Sequence, residues 1–166
     1  MVYYITQVLS HNEILEAPTP ADFDATLAEA LAACERAEPK AKLLVLLTST
    51  TGDKEAGKKW CEDCDAADPV IEATLKKQEE SYVLLNALLK RSEYKKDFNL
   101  DAANHPYRLR KEMNGMGGNP FKGIPTLVRW EAPYNKIDFP EADRCYPTKK
   151  EEAKVAATIE MLLEDD

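Results

Sequence analysis

The amino-acid sequence predicts an α/β domain in which a central mixed β-sheet is flanked by helices on both faces. Two apolar runs of strand length, 43–47 and 81–89, show little alternation with polar residues, which is typical of strands covered on both sides. Apolar residues recur at helical spacing between them, which predicts a parallel strand–helix–strand unit. The chain has 166 residues, 44% of them apolar, and we expect a single domain over 1–166.

The chain before this unit predicts a strand and then a helix. Residues 2–9 are rich in β-branched and aromatic types, which favours a first strand. Thr19 as N-cap, Pro20 at the first helical position and Asp22 three residues after the cap are typical of a helix start. The apolar face of this helix should then consist of Phe23, Leu27, Ala30, Leu31 and Cys34.

The helix of the central unit is predicted over 64–77. Pro69 lies inside it, where the missing N–H and the clash of the proline ring predict a bend. One face of this helix is apolar and should pack on the sheet. The residues of that face are Cys64, Ala67, Ile71 and Leu75.

The rest of the chain predicts a short helix, a loop and a closing hairpin. We expect the helix over 106–113 and the loop over the glycine-rich segment 114–119. Residues 126–130 and 136–139 are expected to form the two strands of the hairpin.

A last helix should follow the hairpin. Thr148 and Glu151 have the spacing of a capping box, which predicts that the helix begins there. Its apolar stripe is expected to comprise Val155, Ala156, Ile159, Leu162 and Leu163. The predicted order of elements is therefore strand, helix, strand, helix, strand, helix, hairpin, helix.

Charge and hydropathy argue against two classes of partner. The formal net charge of −8 repels phosphate backbones and anionic lipid surfaces, so we expect neither nucleic acid nor membrane binding. The longest apolar run, 43–47, is far shorter than the ~20 residues that span a bilayer. The first residues lack the basic region of a signal peptide, which favours a cytosolic protein.

The cysteines provide the clearest chemical signal. Four are present, and Cys61 and Cys64 form a Cys-x-x-Cys pair. In a reducing compartment this spacing indicates either redox chemistry or half of a metal site. The zinc alternative would need further ligands, and the candidates are Cys34, Cys145, His11 and His105.

The position of the pair at a predicted helix start favours redox chemistry. Free N–H groups at the helix start stabilise a thiolate, so the pKa of Cys61 should fall from ~8.5 towards ~7. Cys64 lies one turn behind and should stay protonated. Glu62 and Asp63 would raise the thiol pKa values and nearby lysines would lower them, so their net effect stays open. Cys61 is then the attacking nucleophile, and Cys64 resolves the mixed disulfide.

The other two cysteines have different expected roles. Cys34 lies on the apolar face of the first predicted helix and should be a core residue. Cys145 is expected to be structural, with regulatory oxidation as the alternative. His105 is interpreted as a helix-start residue.

Several motifs together resemble one known family. Trp60-Cys-x-Asp-Cys64, its polar lead-in 51–59 and Ala67-Asp68-Pro69-Val70 are similar to the thioredoxin-related 14 kDa protein family, also called thioredoxin domain-containing protein 17, within the thioredoxin-like superfamily. Later positions agree with the family pattern. These are Tyr94, Lys96, Asp97, Asn104, Tyr107, Arg108, Ile124-Pro125-Thr126-Leu127 and Glu160-Met161-Leu162.

The resemblance implies a thioredoxin fold and specific roles for residues of the site. It implies that the Ile124–Pro125 bond is cis and that these two residues face the dithiol and contact substrate. Trp60 is expected to shield the dithiol and to form part of the substrate surface. Thioredoxins use a buried aspartate of the second strand to deprotonate the second cysteine, but 43–48 holds no carboxylate, so Asp63 is our candidate.

One departure from the family bears on redox chemistry. Glu62 stands where the family usually has proline, which predicts a reduction potential different from that of proline-containing members. The family implies a disulfide reductase that acts on protein disulfides or small disulfides such as cystine. Its electron donor would be NADPH-dependent thioredoxin reductase. We expect no bound cofactor, since the glycine-rich segment lacks the G-x-G-x-x-G spacing, and we expect a monomer.

Two other functions remain open at this point. The protein could be a binding or signalling adaptor whose dithiol switches partner docking. An oxidase or isomerase would need a more oxidising potential and an oxidising compartment, which no signal peptide supports.

Overall fold

The computed structural model describes residues 12–51, 57–91, 105–114, 123–131, 134–138 and 149–164. In these ranges the strands are β1 (Asn12–Ala17), β2 (Lys42–Ser49), β3 (Tyr82–Leu89), β4 (Thr126–Arg129) and β5 (Lys136–Asp138). The α-helices are α1 (Phe23–Arg36), α2 (Glu62–Lys76), α3 (Pro106–Leu109) and α4 (Lys149–Leu163). Their order along the chain is the predicted one.

The five strands form one mixed sheet with the order β1-β3-β2-β4-β5. β3 is parallel to both β1 and β2, while β4 is antiparallel to β2 and to β5. The parallel pairing of β2 with β3, joined through α2, confirms the strand–helix–strand unit. The β4–β5 pair confirms the closing hairpin.

The two faces of β2 bury separate clusters, which explains why its sequence is continuously apolar. Leu43, Val45 and Leu47 pack in the cluster that includes α1 and Tyr107. Leu44 and Leu46 pack in the second cluster with residues of α2 and α4. The sheet is therefore covered by helices on both sides, as predicted.

The first described strand differs from the predicted one. The predicted strand over 2–9 lies outside the described residues, and β1 occupies 12–17 instead. This segment reads Asn-Glu-Ile-Leu-Glu-Ala and, among the described strands, pairs with β3 alone at the edge of the sheet. A strand at the edge of a sheet is partly exposed to solvent, as the 47% exposure of Ile14 shows. Such a strand can contain polar residues, so the sequence of β1 lacks the apolar pattern from which a strand is predicted.

The first helix has the predicted position but a different buried face. Thr19 precedes a 3₁₀ turn over Pro20–Asp22, its hydroxyl donates to the Asp22 carboxylate at 2.7 Å, and α1 begins at Phe23. The prediction for Leu31 was wrong, because its side chain is 43% exposed. The buried face is rotated towards small residues. Its members are Phe23, Thr26, Ala30, Ala33 and Cys34.

The later elements agree with the predictions apart from their ends. α2 begins at Glu62 and stays helical through Pro69, while the bend remains a prediction. The predicted helix over 106–113 is divided into α3 and a 3₁₀ turn, Lys111–Asn114. The loop prediction for 114–119 and the cap at Thr148 fall largely or wholly outside the described residues.

The last helix packs against α2 and is tied to the sheet at its end. Four residues of the predicted stripe are buried, and Ala156 is half-buried. The Lys42 ammonium donates to the Leu163 carbonyl at 2.5 Å, and Arg129 donates to the Glu164 carbonyl at 2.7 Å. Among the described residues, no helix has the length and apolar character needed to cross a membrane.

Candidate active site

The two cysteines lie where the chain passes from the lead-in into α2. Cys61 is the N-cap of this helix, with extended backbone angles of φ −95° and ψ 112°. Its sulfur accepts a hydrogen bond from the Cys64 N–H at 3.3 Å, and its carbonyl accepts one from the Asp65 N–H at 2.9 Å. The cap therefore places the Cys61 sulfur on a free N–H group of the first turn.

The two thiols have opposite environments. Both are free thiols; Cys61 is half-exposed, whereas Cys64 is fully buried. Hydrogen bonding from the Cys64 thiol lowers the pKa of Cys61, and the Cys64 N–H acts in the same direction, although burial opposes them. Burial raises the pKa of Cys64, and its bond to Cys61 raises it further. These directions agree with the predicted thiolate at Cys61 and protonated thiol at Cys64.

Trp60 holds the lead-in against the ends of the central strands. Its indole N–H donates to the Leu89 carbonyl at 2.9 Å, and its backbone N–H donates to the Thr50 carbonyl at 3.3 Å. The ring is half-buried against the cluster that includes α1. Trp60 directly precedes Cys61 in the chain, and its role in shielding the dithiol stays a prediction.

The segment before β4 lies opposite the dithiol. The Ile124–Pro125 peptide bond is cis, as the family resemblance implied. The Cys61 sulfur is 3.9 Å from the Ile124 carbonyl oxygen, and the Thr126 hydroxyl donates to the Gly123 carbonyl at 2.6 Å. Residues 63 positions apart in the sequence are therefore brought together at the exposed thiol.

A buried group of polar side chains lies on the inner side of the dithiol. The Thr48 hydroxyl, at the end of β2, donates to Asp68 Oδ2 at 2.5 Å. The Lys59 ammonium forms a salt bridge with the same oxygen and lies 3.4 Å from the Thr48 hydroxyl. Asp68 is 3% exposed. We call these three residues the Thr48–Lys59–Asp68 cluster.

The electrostatic balance at Asp68 is set by burial. Burial raises the pKa of this carboxyl, while the charge and hydrogen bond of Lys59 and the hydrogen bond of Thr48 lower it in part. The Asp68 charge in turn raises the pKa values of both Cys61 and Cys64. The carboxylate is therefore close enough to act on the dithiol electrostatically.

Sequence reasoning named Asp63 and missed the Thr48–Lys59–Asp68 cluster. Asp63 is half-exposed, and its charge raises the pKa of Cys61; its assignment as a proton acceptor stays a prediction. A signal for Asp68 was present, because it follows Cys64 by four residues and so shares the buried face of α2. An aspartate on that apolar face needs a buried partner.

The zinc alternative is not tested by the described residues. Among them, no group of three or more His, Cys, Asp or Glu side chains could hold a metal ion, but the candidate ligands His11 and Cys145 lie outside.

His105 is the N-cap of α3, as predicted, and its Nδ1 accepts from the Tyr107 N–H at 3.2 Å. Cys34 is a core residue, as predicted, and burial raises its pKa to about 11.

The fold and the candidate site together define a class of protein. A mixed sheet with a Cys-x-x-Cys pair at the start of the helix after the central strand, facing a cis-proline before an antiparallel strand, is the arrangement of thioredoxin-like proteins. A family profile described as "Thioredoxin domain-containing protein 17-like, thioredoxin domain" matches residues 22–147. The chain belongs to this family, which supports a redox-related role of the oxidoreductase type.

Similar proteins come from plants and vertebrates. Thioredoxin-like protein Clot of Oryza sativa subsp. japonica is 37% identical over 117 residues, which cover 68% of this chain and 75% of the relative. Thioredoxin domain-containing protein 17 of Homo sapiens is 29% identical over 117 residues, covering 70% and 75%. A solved structure of a mutant thioredoxin from Halobacterium salinarum aligns with 14% identity, a TM-score of 0.43 and coverage of 96% and 99%.

Proposed function

We propose that the protein is a thiol–disulfide oxidoreductase that reduces disulfides through the Cys61–Cys64 pair. The observation that carries this proposal is the asymmetry of the two sulfurs. Cys61 is accessible and its sulfur accepts a hydrogen bond from the Cys64 N–H, whereas Cys64 is buried behind it. An accessible thiolate with a protected partner thiol is what stepwise disulfide exchange requires.

In the first step the Cys61 thiolate attacks one sulfur of a substrate disulfide. A bond forms between Cys61 and that sulfur, the substrate S–S bond breaks, and the other substrate sulfur leaves as a thiolate. The lowered pKa of Cys61 increases the fraction of this thiol that is present as the thiolate nucleophile.

In the second step Cys64 completes the exchange. Its thiol loses a proton, and the resulting thiolate attacks the Cys61 sulfur of the mixed disulfide. The Cys61–Cys64 bond forms, the substrate sulfur leaves and takes up a proton, and the substrate has then gained two electrons in total. Because burial raises the pKa of Cys64, loss of this proton is the demanding part of the step.

The surface around Cys61 supports binding of an extended substrate segment. The Ile124 carbonyl oxygen lies 3.9 Å from the Cys61 sulfur, and the Ile124–Pro125 bond beside it is cis, so the backbone of this segment lies next to the exposed thiol. We assign Ile124, Pro125 and the exposed part of Trp60 to substrate contact, in keeping with the resemblance. The substrates are protein disulfides or small disulfides such as cystine.

The oxidised pair must be reduced again by another protein. We propose NADPH-dependent thioredoxin reductase as the donor, with the protein acting as a cytosolic monomer and without a bound cofactor. Family membership and the absence of a G-x-G-x-x-G pattern in the sequence support this part of the proposal.

Turnover with a coupled reductase tests the proposed function. NADPH oxidation is followed in the presence of thioredoxin reductase and either insulin or cystine. We expect turnover that Cys61→Ser abolishes and that Cys34→Ala, which alters a buried thiol outside the site, preserves. If thioredoxin reductase reduces the pair only once and no substrate sustains turnover, the result supports the adaptor function instead of disulfide reductase activity.

A further inference from the structure

The Thr48–Lys59–Asp68 cluster brings three polar side chains from distant parts of the chain to the inner side of Cys64. Thr48 follows the apolar run of β2, Lys59 comes from the lead-in, and Asp68 lies on α2 one turn after Cys64. A carboxylate buried in a core is costly unless it is paired and hydrogen-bonded. Packing alone does not explain why a carboxylate is buried at this position.

The hydrogen bonds of Asp68 are distributed unevenly between its two oxygens. Oδ2 accepts from the Thr48 hydroxyl at 2.5 Å and also receives the Lys59 ammonium. Oδ1 is buried and has no hydrogen-bond partner among the described residues. One oxygen is therefore anchored while the other retains its capacity to accept a proton.

The cluster and Cys64 are close in space. Asp68 is four residues after Cys64, so the two side chains lie on the same face of α2. Hydrogen bonding from Thr48 lowers the pKa of Cys64, and the charge of Asp68 raises it, so both groups act on the buried thiol. The Thr48 hydroxyl, which donates to Asp68, is therefore also near enough to the Cys64 thiol to affect its pKa.

We propose that Asp68, anchored by Lys59 and linked to Cys64 through the Thr48 hydroxyl, accepts the Cys64 proton in the resolving step. This inference rests on the proposed function and moves to Asp68 the role that sequence reasoning gave to Asp63. The Cys64 S–H bond breaks and Asp68 gains the proton, directly on Oδ1 or through Thr48 on Oδ2. The Cys64 thiolate then attacks Cys61, and the substrate sulfur departs with both electrons of its bond to Cys61.

Lys59 favours the ionised form of the acceptor. Burial and the nearby charge of Asp65 raise the pKa of Asp68, whereas Lys59 and Thr48 lower it. Asp68 can accept a proton only when it is ionised, so Lys59 acts as a positioning residue that maintains the competent state.

A two-phase reaction separates the two thiols. The reduced protein is mixed with excess 5,5′-dithiobis(2-nitrobenzoic acid), and thionitrobenzoate release is followed by stopped-flow absorbance. The first equivalent is released when Cys61 attacks the reagent, and the second when Cys64 attacks the mixed disulfide. The first phase reports the proposed function, and the second phase reports the proton acceptor.

We expect Asp68→Asn to slow the second phase by about 10²-fold at neutral pH while changing the first phase by less than about threefold. The residual second phase should rise about tenfold per pH unit, because only the thiolate of Cys64 attacks and no local base remains. Thr48→Val should slow the second phase in the same direction, and Asp63→Asn should leave its pH profile unchanged. Glu72→Gln, on the same helix, is the matched control and should resemble the wild type.

Two results for the second phase would contradict the inference. An unchanged rate and pH profile of the second phase in Asp68→Asn would overturn it, and so would a second phase that only Asp63→Asn slows. If Asp68→Asn fails to fold, Thr48→Val carries the test, and an unaffected second phase there excludes the hydroxyl link. If the wild type shows no first phase, the proposed function itself fails, which distinguishes that result from the others.

Discussion

The two halves of α2 bury different kinds of side chain, polar in the first half and apolar in the second. In its first half, Cys61 caps the helix, and a buried carboxylate at Asp68 is paired with a lysine from another segment. At its end, Ile71 and Leu75 are fully buried among apolar residues of β2, β3 and α4. Apolar packing of Ile71 and Leu75 fixes the position of the helix on the sheet. The polar groups nearer its start, whose pKa values are shifted, are thereby held in place.

This difference shows how one helix can serve both stability and reactivity. Burial stabilises Ile71 and Leu75, because they have no polar atoms to desolvate. The same burial raises the pKa values of Cys64 and Asp68, because it disfavours their charged forms. Substitutions at the start should therefore alter chemistry, and substitutions at the end should alter stability.

The largest effect should come from replacing the buried thiol. We expect Cys64→Ser to lower turnover at least about 10³-fold, because the mixed disulfide on Cys61 can no longer be resolved. Mass spectrometry of the intact protein after addition of cystine should then show one covalently attached half-cystine. Turnover close to that of the wild type would show that Cys64 is not the resolving thiol.

The far end of the helix should respond in stability alone. Ile71→Ala should lower the free energy of unfolding by about 2–5 kcal/mol, because it leaves a cavity between the sheet and α4. Urea denaturation measures this loss, and Val70→Ala, at a half-buried neighbour, should cost less. Alkylation of Cys61 in the folded protein should be unchanged; a parallel loss of Cys61 reactivity would show that the two ends are not separable.

The burial of Asp68 should also appear in the pH dependence of stability. Its raised pKa means that the folded protein binds this proton more tightly than the unfolded chain does, so the wild type loses stability as the pH rises through that range. Asp68→Asn does not titrate, so its unfolding free energy relative to the wild type should increase from about pH 3 to pH 7. The opposite trend would mean that the Lys59 pair, rather than burial, controls Asp68.

The smallest effect should be at Asp63. Its charge raises the pKa of Cys61, so Asp63→Asn should lower that pKa and speed alkylation of Cys61 at low pH by less than about threefold. Pseudo-first-order alkylation rates across pH measure the shift. A slower reaction in the variant would contradict the sign of this electrostatic effect.

Sequence reasoning succeeded where local pattern determines structure. The run 43–47 predicted a strand covered on both sides, and the helical spacing of Cys64, Ala67, Ile71 and Leu75 predicted the face that is buried. The contrast between the two thiols also followed from local geometry, because a residue at a helix cap is more accessible than one a turn later.

It failed where partners come from distant segments. Asp68 is held by Thr48 and Lys59, which are 20 and 9 residues away, and no local pattern joins these three. The edge strand β1 was missed because its position in the sheet, rather than its own apolar content, makes it a strand. The cause proposed for the Cys61 pKa was incomplete, since hydrogen bonding from the Cys64 thiol has the largest effect.

Site-resolved alkylation across pH tests the thiol asymmetry most directly. The folded protein is pulsed with iodoacetamide at a series of pH values, quenched, digested and quantified by peptide mass spectrometry at Cys61, Cys64 and Cys34. The account predicts that Cys61 reacts with a midpoint below the ordinary cysteine pKa, while Cys64 and Cys34 react only after unfolding. Equal labelling of Cys61 and Cys64, or faster labelling of Cys64, would contradict it.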